Sequence, residues 1–160
     1  MPILATLRRV WTEEQAGSAA DDNSFEAEFA AWHARENDHR VTWLAEVEVG
    51  PVGMLNVLIF TRMPRPRCVG AASMPTQWGY IANMFVLERY RNSGIGAALL
   101  SAATDFADQT GLARLVLSPS QLSVPFYERA GFVVATSLMM RQPFSGAAGA
   151  GPSSGQGPGR

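Results

Sequence analysis

The chain is poor in the groups that would commit it to several large functional classes. Of its 160 residues, one is a cysteine, Cys68, and two are histidines, His33 and His39. A single cysteine excludes an internal disulfide and fits a reducing compartment, the cytoplasm. The histidines fall with Glu36, Asn37 and Asp38 at the end of a helical stretch, where capping and solvation account for them. No His/Cys spacing forms a zinc site, so no metal is expected. The formal net charge is −1 and the basic residues are dispersed. Nucleic acids, which are held through many Lys/Arg contacts to phosphate, are therefore not expected as partners, and no basic patch for a phosphorylated acceptor is legible either. The longest apolar run, Met54 to Phe60, is broken by Asn56 and is too short to span a bilayer. The N-terminus lacks the apolar core of a signal peptide, so no membrane is expected. What the chain does have is 47% hydrophobic residues, enough for a substantial core in one domain.

Apolar residues recur at a helical period through Leu4, Leu7, Val10 and Trp11, and again through Phe25, Phe29, Ala30, Trp32 and His33, which predicts amphipathic helices over 4–15 and 22–36. Asp22, Asn23 or Ser24 would cap the second. Two strands follow, 41–49 and 52–63, joined at a Gly50-Pro51 turn. After a proline-bearing loop from Pro64 to Pro75 come a strand over 78–87, a helix over 94–110 stopped by Gly111, a strand over 112–118, a short helix over 123–130 ended by Gly131, and a final strand over 132–141. These elements make one domain over 1–143. Residues 144–160 form a Gly/Pro/Ser tail, which from Ser145 onward has no apolar side chain larger than alanine. It cannot repay its ordering entropy and is expected to be disordered.

The chemistry concentrates in the run from Phe85 to Leu100, where an apolar strand enters a basic, glycine-bearing turn that opens a helix. Arg91, Gly94 and Gly96 keep an R-x-x-G-x-G spacing, with Asn92, Ser93 and Ile95 between them. Glycine lets the backbone approach a ligand closely, and the free N–H groups of the first helical turn, with the positive end of the dipole, suit an anion such as a pyrophosphate. There is no G-x-G-x-x-G, and no Gly-Lys-Ser/Thr closes the loop, which argues against dinucleotide and Walker sites. A second block follows downstream, Val124-Pro125-Phe126-Tyr127-Glu128-Arg129-Ala130-Gly131-Phe132, on a short helix after an apolar strand.

The two blocks in this order, within a match running from Trp78 to Met140, resemble the acyl-CoA-binding core of the GNAT superfamily of N-acetyltransferases. The resemblance implies an α/β fold with a mixed, mostly antiparallel sheet, a central V-shaped splay and flanking helices. Members normally begin with a strand before the first helix. Here the first helix starts almost at Met1, so that strand is missing or lies upstream of the given start, and the exposed sheet edge could be covered by a partner chain in a homodimer. The resemblance further implies acetyl-CoA as cosubstrate. Its pantetheine arm would lie along the backbone of Met84, Phe85 and Val86, whose N–H groups would serve the oxyanion, and its pyrophosphate would lie on the loop from Arg91 to Gly96. Ser120 stands where many members have a cofactor-binding asparagine, although a Ser-Pro-Ser turn capping the next helix explains it equally well.

Tyr127 is the tyrosine that the superfamily places near the cofactor sulfur as general acid. A phenol, with a reference pKa near 10 against about 8.5 for a thiol, stays protonated at neutral pH and is available as a donor. Its alternative is a core aromatic with a satisfied hydroxyl. The amine is the harder requirement. A lysine-like amine is neutral in roughly one part in 2,500 at pH 7, a deficit of about 4.6 kcal/mol. Glu46 and Glu48, Asn83 as an orienter of water, and Glu88 are the candidates for supplying that deprotonation, and a water relay is another route. Trp32, Trp43, Trp78 and Tyr80 line an acceptor pocket or pack the core.

These features predict an acetyl-CoA-dependent N-acetyltransferase acting on a primary amine of a small molecule or peptide. A catalytically silent acyl-CoA-binding sensor or regulatory module remains open, as does an O-acyl or longer-acyl transferase on the same core.

Overall fold

The computed structural model describes residues 2–66, 69–70 and 74–140. Cys68 and the tail predicted over 144–160 lie outside the described residues. The first helix, α1 (Pro2–Ala16), begins on a proline, whose fixed φ suits the first helical position. It buries Ala5 and Leu7. The second, α2 (Phe25–Glu36), buries no residue fully. It is held to α1 by Arg9, whose Nε and NH2 donate to the two carboxylate oxygens of Glu26 at 2.9 and 2.8 Å. Ser24 stands at its N-cap as expected, but its hydroxyl lies against the carboxylates of Asp22 and Glu28 instead of capping a backbone N–H.

The sheet has four strands in the order β1 (Arg40–Val47), β2 (Gly50–Thr61), β3 (Gln77–Val86), β4 (Leu115–Leu117). β1, β2 and β3 are antiparallel, and β4 runs parallel to β3 after the crossover helix α3 (Ile95–Thr110). Among the described residues β1 pairs only with β2 and forms the open edge. The short helix α4 (Val124–Arg129) completes the elements.

Alternation along the strands sorts the core into two layers. On one face Leu55, Val57 and Ile81 pack with Leu99, Leu100 and Ala103 of α3, and Trp43, Met84, Phe126 and Tyr127 close around them. On the other, Met54 and Phe85 pack on Leu7 of α1, where Trp11 stacks on Phe85 at 5.7 Å between ring centroids. Fully burying such a side chain is worth about 1.5–3 kcal/mol. One irregularity keeps β3 in phase. Asn56 pairs with Asn83 but Val57 with Ile81, so Ala82 is an extra residue. This bulge leaves Ile81 and Met84 on the α3 face and turns Asn83 and Phe85 to the other.

Two strand expectations fail. The hairpin turn is Glu48-Val49, not Gly50-Pro51, because an irregularity at Ala45/Glu46 lets Gly50 and Pro51 pair with Val47 and Glu46. The final strand does not form: residues 132–140 carry no strand, and Val133 and Val134 are 87% and 80% exposed. β4 is also shorter than the expected 112–118, at three residues: the Leu112 N–H donates to the Ala107 carbonyl at the end of α3 at 2.9 Å, and Pro119 has no N–H to extend the ladder. So short an edge offers little ladder for another strand to join. The segment instead borders a concavity of about 690 Å³ beside β4 and α4.

Candidate active site

Among the described residues β3 and β4 pair through Gly79↔Leu115, Tyr80↔Val116 and Ile81↔Leu117, with the Ala113 N–H donating to the Gln77 carbonyl at 2.8 Å just before them. Beyond Ile81, β3 continues to Val86 with no neighbour on that side among the described residues. The backbone of Met84, Phe85 and Val86 therefore borders an opening in the sheet, the position the predicted splay requires. Where the pairing does exist the approach is close: a Cβ on Gly79 would sit 2.8 Å from Leu115 Cδ1 and 3.0 Å from Val57 Cγ1.

The strand delivers the chain to the glycine loop. Asn92 has φ 60° and Gly94 φ 87°, two left-handed residues that turn the backbone into α3. Successive N–H groups in such turns form anion-binding concavities. Gly94 occupies the N-cap of α3, offers no side-chain cap, and has open space where a Cβ would stand. The first-turn N–H groups are thus left without a side-chain acceptor. Ser93 is tied to the loop by donating to the Tyr90 carbonyl at 2.6 Å. Gly96 lies inside, where an added Cβ would meet Met84 Cε at 3.4 Å and the Phe126 ring at 3.7 Å. The loop is thus uncapped at Gly94 and open at its Cβ position, as an anion site on backbone N–H groups requires.

Arg91 is otherwise engaged. Its Nε donates to the Val86 carbonyl at 3.1 Å and its NH2 pairs with the Glu14 carboxylate of α1. Ser120 sits in the turn before α4, its hydroxyl 3.0 Å from that of Ser123, which also contacts the Ser120 carbonyl at 2.9 Å.

Tyr127, half-buried between Phe126 and Phe132, donates its hydroxyl to Met84 Sδ at 3.6 Å. Burial pushes its phenol above the usual value, because the charged form loses hydration. The hydroxyl thus remains protonated at neutral pH. Complete transfer of its proton to a thiolate is uphill by at least the ~2 kcal/mol that separates an ordinary phenol from a thiol.

On the opposite face of the sheet, beside Asn83, lies a cavity of about 260 Å³. Leu4 and Arg8 of α1 and the aromatic stripe Phe25, Phe29 and Trp32 of α2 wall it. Its floor is the polar side of the strands. There Arg40 NH1 donates to Asn56 Oδ1 at 2.8 Å, and Asn56 Nδ2 donates to Thr42 Oγ1 at 2.6 Å. Of the four aromatic candidates only Trp32 reaches this cavity. Trp43 packs edge-on against Phe106 in the α3 layer and Trp78 stacks on Phe60 at 4.5 Å. Of the carboxylates considered as bases, Glu46, Glu48 and Glu88 are exposed and none lines the cavity, whereas Asn83 does. His33 lines it too. The sequence reading passed over Arg8, Arg40, Thr42 and Asn56, and it found no basic patch because Arg8 and Arg40 are far apart in the chain. Asn56 carried a signal, since a polar residue interrupting the most apolar strand demands buried partners.

This arrangement agrees with what the chain is similar to. The family model described as the acetyltransferase (GNAT) family matches residues 4–132. A glucosamine 6-phosphate N-acetyltransferase from Trypanosoma brucei brucei is 32% identical over 83 residues, which cover 46% of this chain and 56% of that protein. The match thus spans little more than half of that relative. Among solved structures, a predicted acetyltransferase from Clostridium acetobutylicum with acetyl-CoA shares 20% identity at a TM-score of 0.65, covering 88% of each chain. A GCN5-related N-acetyltransferase from Ralstonia eutropha shares 25% at 0.64, covering 89% of this chain and 92% of the other. With the family pattern running through both the opened sheet and the glycine loop, the chain belongs to the acetyltransferase (GNAT) family.

Proposed function

We propose that the protein transfers the acetyl group of acetyl-CoA to a primary amine of a small molecule by direct attack. The observation that carries this reading is the continuity of the opened stretch of β3 with the uncapped N-terminus of α3, with the Tyr127 hydroxyl against Met84 beside it. When bound, acetyl-CoA supplies the thioester that the amine attacks. The loop from Asn92 to Gly96 would hold its pyrophosphate through backbone N–H groups, and the free edge of Met84 to Val86 would take the pantetheine arm as an added strand. Backbone N–H groups of the same stretch would stabilise the oxyanion. Tyr127 would hold its hydroxyl toward the departing sulfur, stabilising the thiolate by hydrogen bonding and protonating it, with its own proton recovered from solvent.

The acceptor would reach the reacting carbon from the cavity beside Asn83, whose carboxamide orients the amine or a water that takes its proton. A cavity of about 260 Å³ suits a small molecule better than a peptide. The T. brucei brucei relative named for glucosamine 6-phosphate supports a small-molecule acceptor.

The test is calorimetric titration with acetyl-CoA followed by detection of free thiol with a panel of small amines. Binding with thiol release on one amine class is expected. Binding without release on any amine would make the protein an acyl-CoA sensor, and no binding would remove the reading altogether.

A further inference from the structure

The acceptor cavity is lined by two arginines, Arg8 of α1 and Arg40 of β1, with His33 alongside, and among the described residues by no aspartate or glutamate. Arg40 is fixed by its bond to Asn56 and by the Trp32 ring, 4.9 Å from its guanidinium carbon. A guanidinium has five N–H donors. Asn56 takes one of those on Arg40, NH2 forms an ion pair with the Glu36 carboxylate at 3.7 Å, longer than a hydrogen bond, and Nε is buried with no partner among the described residues. Arg8 lies over the Trp11 ring at 4.6 Å and takes part in no ion pair among the described residues. A pocket for an amine with no other charge would be expected to hold a carboxylate for the ammonium. This one offers cations with donor capacity to spare.

Resting on the acetyltransferase reading, we propose that the acceptor is an amine that also carries an anionic group, a phosphate or a carboxylate, bound by Arg8 and Arg40. Its body lies against Phe29 and Trp32 and its amine is directed toward Asn83. Guanidinium forks match both anions, and charge-assisted bonds to them are about twice as strong as neutral ones. The arrangement therefore selects the substrate by its anion. Polyamines, which bring only positive charge, are disfavoured.

The experiment compares amines paired so that one member carries the anion: glucosamine 6-phosphate with glucosamine, and phenylalanine with phenethylamine. Each is assayed for kcat/KM by thiol release. The anionic member of at least one pair is expected to exceed its partner roughly tenfold or more, consistent with a charged hydrogen bond. The preferred pair then tells phosphate from carboxylate. Arg8→Gln and, separately, Arg40→Gln should raise KM for the anionic member severalfold more than for the neutral member, so that the anionic preference shrinks. Arg8→Gln serves if Arg40→Gln fails to fold. Equal or better turnover of the neutral members overturns the proposal. Thermal shift of the acetyl-CoA-saturated protein supplies a readout independent of turnover. Stabilisation by an anionic member that Arg8→Gln abolishes supports the anion site even if no amine is acetylated, in which case the transferase reading alone fails. No stabilisation by either anionic member, with no anionic preference in turnover, overturns the site.

Discussion

The hydroxyl of Tyr127 donates to the thioether sulfur of Met84 across 3.6 Å, joining α4 to β3 just past the point where the β4 ladder ends. This is a weak bond to a soft acceptor, easily exchanged for a better one. It places a protonated phenol at the edge of the opening in the sheet, on the side of α3.

Tyr127→Phe removes that donor and little else. General acid catalysis contributes roughly 10²–10⁴-fold, so kcat should fall within that range while calorimetric affinity for acetyl-CoA holds. Unchanged kcat would transfer proton return to water.

The raised phenol also carries a pH signature. The folded protein keeps the Tyr127 proton above the value at which the unfolded chain releases it, so this contribution is complete below the unfolded value near 10 and is lost as pH rises through the folded one. Denaturant titrations should show stability falling above about pH 10 and falling less in Tyr127→Phe. An identical alkaline decline in both proteins would contradict this assignment.

Gly94 tests the anion loop. At φ 87° with open space around its Cβ position, Gly94→Asp adds left-handed strain of about 1–2 kcal/mol and sets a carboxylate at the N-terminus of α3. Gly111→Ala, at φ 67° beyond the other end of the same helix, reproduces the strain without the charge or the location. Acetyl-CoA affinity should fall about a hundredfold or more in the first, two powers of ten being about 2.8 kcal/mol, and remain near wild type in the second. Equal losses would reduce the effect to helix stability.

The ion pair between Arg91 and Glu14 gives a finer test. Its side chains are 42% and 29% exposed, so the pair is worth about 0.2–1 kcal/mol, and Glu14→Gln should leave the melting temperature nearly unchanged. Releasing the guanidinium near an anion loop should tighten acetyl-CoA a few-fold, most clearly at low salt. Weaker binding would mean that Arg91 serves by bracing α1 and the Val86 carbonyl.

The legible parts of this fold were those written in local pattern. The helices of Leu7 and of Leu99, the run into Gly94 and the helix of Tyr127 each carry period, cap or turn signals within a few residues. The errors lie where distant groups decide. Phe132 to Arg141 reads as a strand, but a strand needs a neighbour, and among the described residues β4 is only three residues long and 132–140 pair with no strand. Glu14 and Arg91 are 77 residues apart, and nothing local announces their pairing. Arg8 and Arg40 look like two dispersed charges until α1 and β1 bring them to one cavity. Among the tryptophans, hydrophobicity could not tell the one beside the cavity from those in the core, since that depends on which face of its element each occupies.

The most direct test of the account is transfer itself: acetyl-CoA labelled in its acetyl group, incubated with the protein and a small primary amine, with the label followed by mass spectrometry. The chain contains no lysine, so acetylation of its own lysines cannot mimic the result. The account predicts label on the nitrogen of the amine, dependent on the protein and strongly reduced in Tyr127→Phe. Label that stays on coenzyme A or passes only to water with every amine offered, by a protein that binds acetyl-CoA, would contradict it.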